Sequence, residues 1–229
     1  MKNILLIGGS YGIGASIATQ LKNEHAIYVA SRTSDEIPQG VTHFEFDALK
    51  DDINTLALPE IIDGLVYCPG SINLKPFKRL KQEAFQEDLN VNFFPLMQIT
   101  QALLPRLTAS NQSSLVFFST VAVKIGMPFH TSVAAAKGAI EGFSKALAAE
   151  YAPKMRVNVI APSLTDTPLA AKLLSNDDKK EKMGERHPLK RIGTTADIAN
   201  LACFLLSDQS SWITGQIISI DGGKSTLQT

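Results

Sequence analysis

Seven short β-rich runs, with room for a helix between most neighbours, constrain this chain more than any other feature. Residues 4–7, 26–30, 43–46, 64–67, 115–118, 157–160 and 217–220 have strand length, and several are apolar throughout instead of alternating. Such runs suit strands covered on both faces, the condition of a parallel sheet crossed by helices. Helical patterning fills the gaps over 12–23, 49–56, 82–109, 132–152, 168–182 and 195–207. The expectation is an α/β chain with a doubly wound, mainly parallel seven-stranded sheet and helices on both faces. A charged stretch at 176–185 interrupts the alternation, as either a flap or a solvated helix face.

At 229 residues, 45% of them hydrophobic, the chain suits one large core, so residues 1–229 are expected to form a single domain. Twenty-two Lys and Arg balance 22 Asp and Glu, leaving no net field to favour nucleic acid or an anionic membrane. A small-molecule partner is expected instead. Cys68 and Cys203 form no CxxC pair, and His25, His43, His130 and His187 have no metal-ligand spacing, so neither a disulfide nor a metal site is expected. The opening apolar run ends at glycines without a signal cleavage site, and no run approaches the ~20 residues that span a bilayer. A cytoplasmic location is the corresponding expectation.

Gly8-Gly9-Ser10-Tyr11-Gly12-Ile13-Gly14 joins the first strand run to the first helical segment. Glycines here allow a sharp turn and let backbone N–H groups approach a pyrophosphate, which also gains from the helix N-terminus. The spacing of Gly8, Gly12 and Gly14 resembles that of the short-chain dehydrogenases/reductases, ketoacyl reductases among them, and further matches follow in order. Gly70 ends a turn after the fourth strand, Val91-Asn92 lies in the long helical region, and Pro162 sits at the family's Pro-Gly turn. Ile213-Thr214-Gly215 and Asp221-Gly222-Gly223 match its C-terminal signature. The resemblance spans essentially the whole chain. It implies a Rossmann-type domain that binds a nicotinamide cofactor through Gly8, Ser10, Tyr11, Gly12, Ile13, Gly14, Gly70 and Thr165, with Lys137 on the nicotinamide ribose.

The second strand run ends Ala30-Ser31-Arg32, with no carboxylate at Ser31 and a planar donor fork at Arg32 suited to a 2′-phosphate. NADP(H) is therefore favoured over NAD(H). Asp47 matches the residue that takes the adenine amino group in the family; it also suits a plain helix N-cap.

The resemblance implies a catalytic set of Asn92, a serine-position hydroxyl at Thr120 and Lys137. It also exposes a gap. Val133 stands four residues before Lys137, where the family has its tyrosine. Valine has no titratable proton, so a general acid, typically worth roughly 10²–10⁴-fold, cannot come from this position. His130, seven residues before Lys137, is one replacement candidate, because an imidazole exchanges protons near neutral pH. Ser119 is an alternative to Thr120, and Tyr67, Tyr11 and Ser163 add further hydroxyls.

The expected function is an NADP(H)-dependent oxidoreductase acting on a carbonyl or enoyl group. The alternatives are a cofactor-binding regulatory or partner subunit without turnover, and a non-redox isomerase or lyase in a remodelled pocket. The resemblance further implies a homodimer or homotetramer, packed through long helices with a small-residue face at Ala135, Ala136, Ala139, Gly142 and Ala146.

Overall fold

The computed structural model describes residues 1–228. Seven strands, β1 (Asn3–Ile7), β2 (Ala26–Ser31), β3 (Thr42–Glu45), β4 (Gly64–Tyr67), β5 (Ser113–Phe118), β6 (Met155–Pro162) and β7 (Ile217–Ile220), form one sheet in the order β3-β2-β1-β4-β5-β6-β7. All six pairings are parallel. The chain runs outward from β1 to β3, returns to β4 on the other side of β1, and then continues outward to β7. The reversal therefore lies between β1 and β4, and a sheet of this kind opens a crevice at the carboxyl ends of the strands there.

The buried runs divide by alternation. Leu5, Ile7, Leu65, Tyr67, Leu115, Phe117, Val157 and Val159 face one layer, packed on Leu96, Ile99, Leu103 and Leu107 of helix α3 (Phe94–Thr108) and on Ile140 and Ala148 of α5 (Thr131–Tyr151). Ile4, Leu6, Val66, Val116 and Ile160 face the other layer, against Ile17, Ala18 and Leu21 of α1 (Gly12–Leu21) and Ile198, Ala199, Ala202 and Leu205 of α7 (Thr195–Leu206). Adjacent residues of a strand point to opposite faces, so a run with a helix layer on each side is apolar at most positions; the buried Asn158 of β6 is an exception and spends its amide on Ile213 O and Gln216 N.

Three expected helices are corrected. The 49–56 segment is a turn followed by a 3₁₀ helix over Ile53–Thr55. Asp47 and Asp52 each use a carboxylate oxygen to accept the backbone N–H two residues on, at Leu49 and Asn54, and so compete with helical pairing. The 82–109 segment divides into α2 (Gln82–Asn92) and α3, broken at Phe93 just ahead of Pro95. Pro168 opens only a 3₁₀ turn over Pro168–Ala170, and the helix that follows, α6, is confined to Asp177–Gly184. The charged stretch is thus mostly α6, started by Asn176, whose side chain accepts from Lys179 N at 2.9 Å. A short helix, α4 (Val121–Ile125), was not expected; it begins directly after Thr120.

Candidate active site

A groove of about 520 Å³ lies over the carboxyl ends of β1, β2 and β4. Gly8, Ser10, Tyr11, Gly12, Ile13, Gly14, Arg32, Asp47 and Gly70 all line it. Gly8 turns the chain out of β1 with φ +76°, a conformation that favours glycine. At Gly14 the reason is different: a Cβ there would lie 2.7 Å from Gly9 Cα and 2.9 Å from Gly8 O. The first turn of α1 therefore rests directly on the loop backbone, with the helix N-terminus on the wall of the groove. A pyrophosphate fits this cradle by charge and by space.

At the far end of the groove, the Ser31 hydroxyl donates to Thr33 O at 2.7 Å and Ser10 Oγ lies 3.1 Å from Thr33 Oγ1, so these hydroxyls fix the loop after β2. Ser31, Arg32 and Thr33 all line the groove there, and Arg32 is the cation among them. Asp47 follows β3, and the Leu49 amide donates to it, holding its carboxyl below the usual range. The expected cap is present as a turn cap, and the same side chain remains on the groove wall.

A second cleft, of about 530 Å³, adjoins the groove. Ile13, Cys68, Gly70, Thr167 and Leu169 belong to both walls. Thr120, Val133, Lys137, His130 and Thr165 line the second cleft, so the expected catalytic residues meet there with one exception. Asn92 is fully buried behind the wall; its amide donates to Ser71 Oγ at 2.8 Å and to Asp88 O at 2.7 Å. A Cβ on Gly70 would come within 3.4 Å of both Asn92 Oδ1 and Lys137 Nζ, so Gly70 is the partition between this network and the cleft.

Lys137 Nζ donates to Phe118 O at 3.0 Å. Burial disfavours its charge and brings its pKa down to about 8, against the opposing pull of Cys68 and Asp88. Burial also pushes the Cys68 thiol up to about 12. Thr120 is the N-cap of α4 and accepts from Ala122 N at 3.3 Å, which leaves its hydroxyl proton to give elsewhere. Ser119, the alternative, donates to Glu141 Oε1 at 2.5 Å and is committed to α5. Tyr67 donates its hydroxyl to Val91 O, and burial raises its pKa, so it serves the core and not the cleft. His130 precedes α5 with Nδ1 at 2.7 Å from Pro128 O; a carbonyl can only accept, so Nδ1 carries the proton. The Val133 side chain is 5% exposed and fills its place on the wall with hydrocarbon.

Two features escaped the sequence reading. Asp88 is fully buried, four residues before Asn92 on α2, and accepts from Ser71 Oγ at 2.5 Å and Asn73 Nδ2 at 2.8 Å. The i, i+4 spacing of Asp88 and Asn92 was its only trace. His187, 3% exposed, lies just beyond α6 with Nε2 at 2.8 Å from Ser163 Oγ, immediately after β6. No local pattern joins residues 24 apart. Among the described residues, no group of three or more His, Cys, Asp or Glu is placed to hold a metal ion, and no helix is long and apolar enough to cross a membrane.

Comparison with known proteins agrees with this geometry. A family model described as enoyl-(acyl carrier protein) reductase matches residues 8–225. The 3-oxoacyl-[acyl-carrier-protein] reductase FabG of Chlamydia trachomatis is 34% identical, over 97% of this chain and 96% of the relative. The FabG of Thermotoga maritima is 31% identical over 97% of each. Among solved structures, ligand-free aldohexose dehydrogenase of Thermoplasma acidophilum superposes with a TM-score of 0.87 at 25% identity, covering 100% of this chain and 96% of that one. With the glycine turn at β1, the paired clefts and these relatives in agreement, the chain belongs to the short-chain dehydrogenase/reductase family, on its ketoacyl-reductase-like side.

Proposed function

We propose that this protein is an NADP(H)-dependent oxidoreductase acting on a carbonyl or enoyl group, with a proton donor other than the family's tyrosine. The observation that carries the reading is the junction of the two clefts. One side is a phosphate cradle with Arg32 at its far end; the other holds Thr120 and Lys137 beside Val133. When bound, a nicotinamide supplies or takes up a hydride. The chain's own part is to bind the pyrophosphate at Gly8 to Gly14, to meet a 2′-phosphate with Arg32, and to hold cofactor and substrate oxygen near Lys137 and Thr120. On this reading residues 1–229 act as one nucleotide-binding domain.

The substrate class is drawn from the cleft and the relatives together. Its wall includes Met127, Phe129, Leu164, Leu173 and Met183, with Lys137, Arg186 and Lys224 as the cations and no side-chain carboxylate among the described residues. An apolar chain with an anionic handle suits that lining, and the relatives are named for acyl-carrier-protein substrates. Helix α5 supports the homodimer or homotetramer. Ala135, Gly142 and Ala146 are exposed along one side and a Cβ on Gly142 would meet nothing within 4 Å, whereas Ala136 is fully buried and belongs to the core, not to that face.

Titration with NADPH and NADH, followed by NADPH oxidation with acetoacetyl-N-acetylcysteamine, tests the assignment. Preference for NADPH and measurable turnover support it. Val133 itself favours a second reading, a cofactor-binding subunit without turnover; tight NADPH binding with no reduction of keto or enoyl thioesters would select it. In either case Val133→Tyr is expected to raise ketoreduction by roughly 10²–10⁴-fold, because Lys137 is spaced to assist a phenol there.

A further inference from the structure

We infer that Ser163 and His187 form a proton relay that takes over at the substrate oxygen the role left vacant at Val133. The inference rests on the oxidoreductase reading above.

Both side chains line the same cleft as Val133, Thr120 and Lys137. Ser163 follows the last residue of β6, and its backbone N–H donates to Ile220 O at 3.1 Å, which ties it to the end of β7. His187 is held from two sides. Its Nδ1 lies 2.9 Å from Met183 O, in the last turn of α6, and its Nε2 lies 2.8 Å from Ser163 Oγ. Because the Met183 carbonyl can only accept, Nδ1 carries a proton. In the neutral ring Nε2 is then the lone-pair nitrogen, so the Ser163 hydroxyl is the donor between them. A backbone carbonyl thus fixes the tautomer and aims the basic nitrogen at a serine on the wall of the reaction cleft, the arrangement by which an adjacent base activates a hydroxyl.

The other polar side chains in the cleft are less able to do this. Ser119 is committed to Glu141, Thr120 has no base among its hydrogen-bond partners, and His130 is fixed only through Pro128 O. The charged groups that line the cleft around the pair are Lys137, Arg186 and Lys224, with no side-chain carboxylate among the described residues. As it stands the pair is set to remove a proton. In alcohol oxidation the substrate hydroxyl gives its proton to Ser163 Oγ as Ser163 gives its own to His187 Nε2, and the hydride leaves for an oxidised nicotinamide. In reduction the order reverses: the carbonyl carbon gains the hydride, its oxygen takes the Ser163 proton, and doubly protonated His187 replaces that proton. Serine is unchanged over the cycle, and His187 exchanges one proton with solvent.

The test joins a readout of the unliganded protein to turnover. Long-range ¹H–¹⁵N NMR of the His187 ring should show a protonated Nδ1 and an accepting Nε2, whose shift moves in Ser163→Ala. Ser163→Ala and His187→Gln, the latter able to keep a hydrogen bond but not to carry the proton, should each lower kcat for acetoacetyl-N-acetylcysteamine on the order of 10²-fold. NADPH affinity should be unchanged, and the double variant should be no worse than either single one. Adding Val133→Tyr to Ser163→Ala should restore turnover, since a phenol bypasses the relay. A wild-type rate in Ser163→Ala, or a His187 ring whose Nε2 carries the proton, would overturn the relay and leave the oxidoreductase assignment standing. Turnover found only in variants carrying Val133→Tyr would also overturn it. Failure of every variant to bind NADPH would instead remove the assignment, and the relay with it.

Discussion

The two halves of the site are built from different materials. The nucleotide groove is made largely of backbone: Gly8 at positive φ, Gly14 pressed on Gly9 and Gly8, and strand ends that deliver Arg32 and Asp47. The adjoining cleft is made of side chains carried on loops and helix ends, among them Met127, Phe129, Val133, Ser163, Met183 and His187. Backbone geometry tolerates almost no substitution where a Cβ would meet main-chain atoms. A side-chain wall can exchange one residue for another and remain a wall. The first half therefore keeps the family's form, and the second can keep its shape while its chemistry is rearranged.

The contrast can be broken most directly at Gly14. Gly14→Ala places a Cβ against backbone atoms and is expected to cost about 3 kcal/mol, the upper part of the usual overpacking range, with loss of NADPH binding; urea unfolding and fluorescence titration check both. Tolerance of alanine there would show that the groove adapts as the cleft does.

Lys137 gives an effect of similar size on the cleft side, through pH. Its folded pKa, about 8, lies below the ordinary value of 10.5, so between these values the unfolded chain holds a proton that the folded chain has shed. Stability should then rise with pH across that window. Below about 8 both states are protonated and the folded protein bears the full cost of the buried charge, on the order of 3 kcal/mol. Lys137→Met is expected to be more stable than wild type near pH 7, with an advantage that fades toward pH 10.5. Urea midpoints of the two proteins over this range measure it, and a pH-independent difference would contradict it.

Arg32→Ala should weaken NADPH about tenfold and leave NADH nearly unchanged, by loss of a charge-assisted contact; equal loss for both cofactors would show that Arg32 does not read the 2′-phosphate. Thr194→Ala tests a position that lines neither half. It removes the capping box at the start of α7, where the Thr194 hydroxyl accepts from Asp197 N and Asp197 accepts from Thr194 N. A loss of about 1 kcal/mol is expected in thermal unfolding, with NADPH affinity unaltered.

The same division accounts for what could be read from the sequence. Every strand lies within about two residues of its expected run, and in β4 and β5 burial on two faces marks each position. The glycine turn was legible because few other residues fit it. The helix expected over 49–56 was not a helix, since Asp47 and Asp52 offer their carboxylates to nearby amides, and Ile53 and Leu56 reach the core from a 3₁₀ turn instead. In the cleft, Lys137 and Thr120 could be placed by spacing along one helix and one strand end. The meeting of Ser163 with His187 depends on how α6 returns to the sheet, and the burial of Asn92 depends on Ser71 and Asp88 closing over it. Contacts made by the folded chain across 24 residues leave no period or spacing to find.

The shared wall has a thermodynamic consequence. Ile13, Cys68, Gly70, Thr167 and Leu169 face both spaces, so a molecule seated in one completes the boundary of the other. Any influence of one ligand on the free energy of the other's binding is then equal in both directions. Were a cofactor and a substrate to share these five residues, each would be an effector of the other, and the affinity measured for either alone would differ from that of the protein that holds both.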